Sequence, residues 1–254
     1  MNTNKSTTGI DPKGKLSFRK IAVITGVIFI IATLTGPILA TPLLPVLTGT
    51  DYLTRASSHP NQVAAGALLI LIGYFACAGI AVVMYPVLKK WNAGLALGSV
   101  IFRTLEAAFY MVGVVSLLAL LKLSHQFAAA GVADHASLQA IGDSLVSVRL
   151  WAASLLGVFA FCVGSFMYNY LFFQSRLIPR WLSGFGIAAI TSLTIACVLS
   201  LFSGNPITSY IPLAFSIFLQ EMALAVWLIV KGFNPSAIAS GSAKTATNEL
   251  LSAA

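Results

Sequence analysis

Charge is scarce in this chain, and negative charge is scarcest: 254 residues carry seven Asp and Glu against fifteen Lys and Arg. Charged residues make up 9% of the sequence, where soluble domains average about 25%. With 58% hydrophobic residues, a single water-facing core could not absorb the apolar surface, which points to lipid as the solvent. Cysteine is nearly absent, and Cys77, Cys162 and Cys197 all fall within apolar runs, which excludes a soluble disulfide framework and leaves them as small buried hydrophobes. Histidine is equally rare. His59, His125 and His135, with Asp134 and Asp143, lie in polar stretches and could be imagined as an external metal site, but there is no i, i+4 histidine pair and no Cys cluster, so solvated loop residues are expected. The apolar runs lack alternation of period 2, which excludes a membrane barrel, and no internal repeat supports inverted halves.

What is present is a series of six apolar runs, each long enough for the roughly 20 helical residues that cross a hydrocarbon core. They cover residues 21–40, 63–85, 93–121, about 148–173, 183–202 and 211–230. Pro86 is expected to close the second, and Pro212 to sit in the first turn of the sixth, where its missing N–H is tolerated. The third run, at 29 residues, exceeds one perpendicular crossing, so it must tilt or lay its first turn at the interface. The fold class expected is all-α, an integral membrane bundle of six transmembrane helices.

The basic residues follow that pattern. Lys5, Lys13, Lys15, Arg19 and Lys20 precede the first span, Lys89 and Lys90 follow the second, Arg176 and Arg180 follow the fourth, and Lys231 and Lys244 follow the sixth. Six crossings put these eleven on one side, against only Arg55, Lys122 and Arg149 on the other, so both termini are expected in the cytoplasm. Basic residues divided among short loops do not make a nucleic-acid stripe, and no nucleic-acid partner is expected. Trp91, Trp181 and Trp227 fall near one interface and Trp151 near the other. The first run is too long for the apolar part of a cleaved signal peptide, although "ILA" before Thr41 loosely resembles a processing site.

The organisation expected is a tail over 1–18 and a tail over 235–254, both too poor in apolar patterning to fold alone, around a membrane domain over 19–234. Residues 41–62, with Pro42, Pro45 and Pro60, are expected to be irregular. In the stretch 122–147, Asp134 is a candidate N-cap, and Leu138, Ile141, Leu145 and Val148 recur at helical spacing, predicting a short interfacial helix leading into the fourth span. "GLALG", Gly94 to Gly98, allows close helix approach, expected within the bundle rather than in a dimer. Asn169 is expected to anchor the fourth span at the interface.

Two charges lie where they are least affordable. Arg103 and Glu106 fall near the centre of the third run, where each costs about 2.5–3.5 kcal/mol on the insertion scale. The fourteen Leu, Ile, Phe and Val of that run return roughly 6 kcal/mol, so the helix is marginal alone. Spaced three apart, the two share a face and partly neutralise each other, and Ser99 and Tyr110 extend the stripe. In the sixth span Gln220 and Glu221 lie at a similar depth. If the helices meet, one arginine faces two glutamates, and keeping one carboxyl protonated is the cheapest remedy for the excess charge. Arg103, Glu106, Glu221, Gln220 and Tyr110 thus form the candidate binding or structural cluster. It can be a clamp that sets helix register, or it can line a path for a solute, ion or proton. No Ser–His pair, Asp pair or metal motif occurs within the spans, so neither a catalytic residue nor a cofactor is expected.

The segments "MYPVLKKWNAGLALGSVIFRTLEAAFY", "SRLIPRWLSGFG" and "LQEMALAVWLIVKGF" resemble an uncharacterised bacterial membrane-protein family, domain of unknown function 4386, over about residues 18–234. The resemblance implies a multi-pass helical protein of a bacterial cytoplasmic (inner) membrane and supplies no established activity or substrate. The function expected is binding or passage of a small polar solute, ion or lipid head group, the alternative being a non-transporting accessory or sensor protein. The lipid bilayer is the expected partner, with a small polar ligand or a proton at the cluster; the oligomeric state stays open.

Overall fold

A computed structural model describes residues 17–40, 43–44 and 49–241. Helix α1 spans Phe18–Thr33, with the Ser17 hydroxyl accepting from the Lys20 amide, and continues as π-helical turns over Leu34–Ala40. Helix α2 (Tyr52–Ser58) precedes α3 (Pro60–Leu88) and α4 (Ala93–Ala129), the last capped by Asn92, which accepts from the Leu95 amide at 2.9 Å. Helix α5 (Val132–Arg149) runs through π-helical turns over Leu150–Gly157 into α6 (Val158–Ser175); α7 (Arg180–Ser203), a 3-10 turn at Ile207–Tyr210 and α8 (Ile211–Val230) follow. Six stretches are long and apolar enough to cross a membrane: 18–40, 60–88, 93–129, 132–175, 180–203 and 207–230. They coincide with the six runs of the sequence.

The spans form a closed ring. Each packs on the next in chain order, α1 on α3, α3 on α4, α4 on α6, α6 on α7 and α7 on α8, and α8 returns to α1. Outward-facing positions are aliphatic or aromatic, among them Val27, Leu68, Phe75, Val115, Phe159, Ile195 and Phe215. Such a surface is stable against hydrocarbon and costly against water. An even number of crossings brings both described ends of the chain to one end of the ring, the basal end. There Phe29, Ile80, Met84, Leu88, Tyr168, Phe172, Leu224 and Leu228 form a continuous core. Pro86 does not close α3: Val87 and Leu88 are fully buried in this core, and their packing outweighs the one helical bond the proline removes.

The seam between α1 and α8 has two devices. Gly26 lets the helices approach so closely that a Cβ there would lie 2.7 Å from the Ala225 carbonyl oxygen. Arg19 donates to the Leu228, Ile229 and Val230 carbonyls, placing its charge at the negative end of the α8 dipole. Residues 235–241, grouped by composition with the C-terminal tail, are helical; Ala237 is buried and Gly241 lies against the Trp91 ring. The rest of both tails lies outside the described residues.

At the distal end three helices form a cap. A helix of 37 residues is about 55 Å long, so α4 resolves its excess length by projecting beyond its apolar run. Tyr52 and Leu53 of α2 pack with Leu120 and Leu123 of α4 and with Leu138 and Leu145 of α5. The Tyr52 hydroxyl donates to Asp143 at 2.9 Å, and burial together with that carboxylate pushes the phenol's pKa up. The stretch 41–62 is therefore not irregular throughout: α2 forms because Tyr52, Leu53 and Ala56 find a buried face, while Thr41, Pro42 and residues 45–48 lie outside the described residues. The expected α5 exists, but its N-cap is Gly131 and Asp134 falls in its first turn, and its Ile141 and Val148 remain about half exposed. Of the small-residue pair, Gly98 packs against Met167 of α6, while Gly94 is exposed and meets only Asn92.

Gly26→Val should open the α1–α8 seam and cost about 1–3 kcal/mol, the range for overpacking. Gly79→Val, where an added Cβ meets nothing within 4 Å, should be near neutral; unfolding of the detergent-solubilised protein followed by circular dichroism compares the two.

Candidate functional site

Polar side chains concentrate at mid-depth. Arg103 is completely buried in α4, and its Nη1 lies 2.9 Å from Glu106 Oε2, one turn further on. The same nitrogen donates to the Ser165 hydroxyl of α6 at 3.3 Å, and the guanidinium lies 4.7 Å from the centre of the Phe161 ring. Its Nε and Nη2 have no hydrogen-bond partner among the described residues. Gly164 makes this placement attainable, because a Cβ there would stand 3.1–3.2 Å from the Arg103 backbone nitrogen and Cγ. Ser99 is buried on the same α4 face.

Glu221 is arranged differently from the simplest expectation. Helices α4 and α8 lie on opposite sides of the ring, and Arg103 pairs within its own helix. Glu221 instead accepts a hydrogen bond from Thr33 of α1, its ring neighbour, at 3.2 Å. The two glutamates nevertheless face one cavity of about 320 Å³ on the ring axis. All six spans line it: Thr33, Tyr74 and Cys77, Glu106 and Tyr110, Val158 and Phe161, Leu193, and Ile217 and Glu221. Ile207 and Thr208 of the distal turn also contribute, so the cavity extends toward that end, while the basal core closes the other.

Gln220 belongs to a second polar layer. Its Nε2 donates to Asn169 Oδ1 at 3.4 Å, and Asn169 Nδ2 donates to the Ser165 carbonyl at 3.0 Å. Asn169 is therefore not an interface anchor but fully buried, since Gly186 of α7 leaves room for both amides. The layer connects Arg103 to α8 through Ser165, Asn169 and Gln220.

Tyr110 stacks on Tyr74 with ring centres 3.3 Å apart and planes at 14°. Gly157 sits beneath Tyr110, where a Cβ would stand 2.8 Å from the ring. The pair lines the central cavity and also a second, distal cavity of about 150 Å³, whose wall includes Gly36, Arg149 and Ser154. Two of those residues come from the two π-helical stretches, whose wider coil makes room there. The tyrosines thus stand between two chambers, one containing carboxylates and the other an arginine.

Sequence reasoning missed Thr33, Tyr74, Arg149 and Ser165. A faint signal existed for one of them: Tyr74 and Cys77, one turn apart, are the polar-tipped positions in the middle of an otherwise apolar run. Of the histidines and aspartates expected in loops, His125 lies on α4 and Asp134, His135 and Asp143 on α5, because these helices run through the polar stretch; His59 stands against the Arg55 carbonyl and His135 stacks on Phe127.

Six apolar helices closed around a polar interior define a multi-pass membrane protein. Over residues 24–232 the chain matches the domain of unknown function DUF4386, and it belongs to that family. No curated protein and no solved structure matches it.

Removing one partner of a buried ion pair strands the other. Arg103→Met is expected to cost about 3–5 kcal/mol, and Arg103→Met with Glu106→Gln to recover most of that loss; a double-mutant cycle on unfolding free energy would show the coupling.

Proposed function

We propose that the protein binds a small solute carrying positive charge, or a proton, in the central cavity and passes it toward the distal end between Tyr74 and Tyr110. The supporting observation is a charge count: two carboxylates line the cavity against one arginine, Arg103, whose ion pair is with Glu106, while among the described residues Glu221 has a hydrogen bond from Thr33 and no ion pair. A carboxylate in a low-dielectric site favours a cationic partner or a proton. In this reading Glu221 meets the ligand, Gln220 holds its helix in register through Asn169, and Arg103 with Glu106 forms the fixed wall. The cavity volume lies at the lower end of small-molecule sites, which span about 300–1,000 Å³. The basic basal end faces the cytoplasm under the positive-inside rule, and a bacterial cytoplasmic membrane is the setting we infer from the family resemblance.

A second reading keeps the cluster purely structural. Its support is that Arg103 is clasped by Glu106, Ser165 and Phe161 with no exposure, as a register-setting clamp between α4 and α6 would be. The protein would then be a non-transporting accessory or sensor component.

Glu221→Gln distinguishes the two readings. Proteoliposomes with an enclosed pH dye, challenged with methylammonium, should respond with the unmodified chain and respond about tenfold less with the variant, the equivalent of about 1.4 kcal/mol of lost charge interaction. Unfolding of the variant should be unchanged. No response from either protein, with a less stable variant, would leave the clamp as the account of these residues.

A further inference from the structure

The basal end carries a third cavity, separate from the central site and from the distal one. It measures about 680 Å³ and lies where the α6–α7 turn meets the chain leaving α8, with Arg176, Arg180, Trp227 and Lys231 in its wall. Its frame is fixed from both sides. The Asn234 amide donates to the Leu177 carbonyl at 2.8 Å, and the Phe233 ring packs on Phe172 with centres 6.2 Å apart.

The electrostatics of this end are one-sided. Among the described residues Arg19, Lys20, Lys89, Lys90, Arg176, Arg180 and Lys231 gather here, whereas every described Asp and Glu lies at mid-depth or at the distal end. Several of the cations have protein partners: Arg19 has the α8 carbonyls, Lys89 and Lys90 lie over aromatic rings, and Arg180 lies over Phe173. Arg176 and Lys231 have no side-chain partner among the described residues, and both are exposed on the rim of the cavity. Three like charges held around one depression repel one another and are stabilised by an anion.

The surroundings identify the form of that anion. Trp227 lines the cavity and meets Trp181 edge-on at 6.5 Å, an aromatic pair at the depth where indoles favour the headgroup region. Val230, one residue before Lys231, is 62% exposed on the outer face of the ring. A phosphate seated between Arg176 and Lys231 would therefore lie at the edge of the bilayer, with apolar surface beside it for the glycerol and upper acyl chain. We propose that this cavity binds the phosphodiester headgroup of an anionic phospholipid of the adjoining leaflet, with Arg176, Arg180 and Lys231 as its counter-charges. The assignment uses none of the residues of the central site and stands whether or not that site carries a solute.

The test uses the full chain in detergent, titrated under native mass spectrometry with dimyristoyl phosphatidylglycerol, the matching phosphatidylcholine and inorganic phosphate. Arg176→Gln with Lys231→Gln is compared with Lys20→Gln with Lys89→Gln, which removes equal charge from the same end outside the cavity. The cavity variant should lose roughly thirtyfold in phosphatidylglycerol affinity, with the control close to the original chain and phosphatidylcholine weak throughout. Equal losses in both variants would mean diffuse surface attraction and overturn the site. Displacement of the lipid by inorganic phosphate at comparable concentration would overturn the lipid assignment in favour of a free anion. Should the double variant fold poorly, Lys231→Gln alone, at an exposed position, carries the comparison: it should weaken phosphatidylglycerol severalfold more than Lys89→Gln, and parity between them would overturn the site.

Discussion

A guanidinium fully out of contact with water can persist only if its charge is answered within a few ångströms, and the interior of this protein is organised around that requirement. Arg103 has Glu106 at 2.9 Å, a hydroxyl from Ser165 and an aromatic face from Phe161. Meeting it draws α4 and α6 together at Gly164, where a Cβ would be tight against the Arg103 backbone nitrogen and Cγ. From Ser165 the polar contacts continue through Asn169 and Gln220 into α8. One buried charge thereby fixes the rotation of three helices, in keeping with the use of buried polar groups to specify register at some expense in stability.

The ring geometry explains why the polar residues leave a cavity rather than a packed core. Six helices in a closed ring cannot all meet on the axis, and the space is filled where side chains are large, as at the basal end with Phe29, Tyr168, Phe172 and Met84. Above that level the wall carries smaller or polar groups, Thr33, Cys77, Glu106 and Glu221, and two helices widen into π-helical turns. The interior is closed at one end and chambered toward the other, with a pair of tyrosine rings as the partition.

The spans were legible in the sequence because their signal is one-dimensional: twenty apolar residues in a row can be found without knowing any neighbour. Depth was legible for the same reason, so Arg103, Glu106, Gln220 and Glu221 were correctly placed at one level. Position around the ring was not. Nothing local in the sequence says that α8 closes against α1 and lies across from α4, so Thr33 escaped notice as the hydrogen-bond donor to Glu221. Asn169 looked interfacial because it lies near a basic turn and between two tyrosines, yet Gly186, far along the chain, makes a buried place for it. The short helix at Tyr52–Ser58 was missed because its stability comes from a face supplied by α4 and α5, and Pro86 misled because tertiary packing outweighed a local rule.

The placement of the ion pair on a single helix bears on how the protein is made. Arg103 and Glu106 stand one turn apart on one helix, so their ion pair needs only a helical third span, whereas the Ser165 and Phe161 contacts wait for α6. Glu221 is in the opposite situation: its hydrogen-bond donor, Thr33, is in the first span, while it is itself in the last. The costly guanidinium thus enters the membrane already accompanied, and the carboxylate that completes the chamber arrives only when the two ends of the chain join. A chain of five spans would have the clamp and five walls of the chamber, and the ring closes only when α8 packs against α7 and α1.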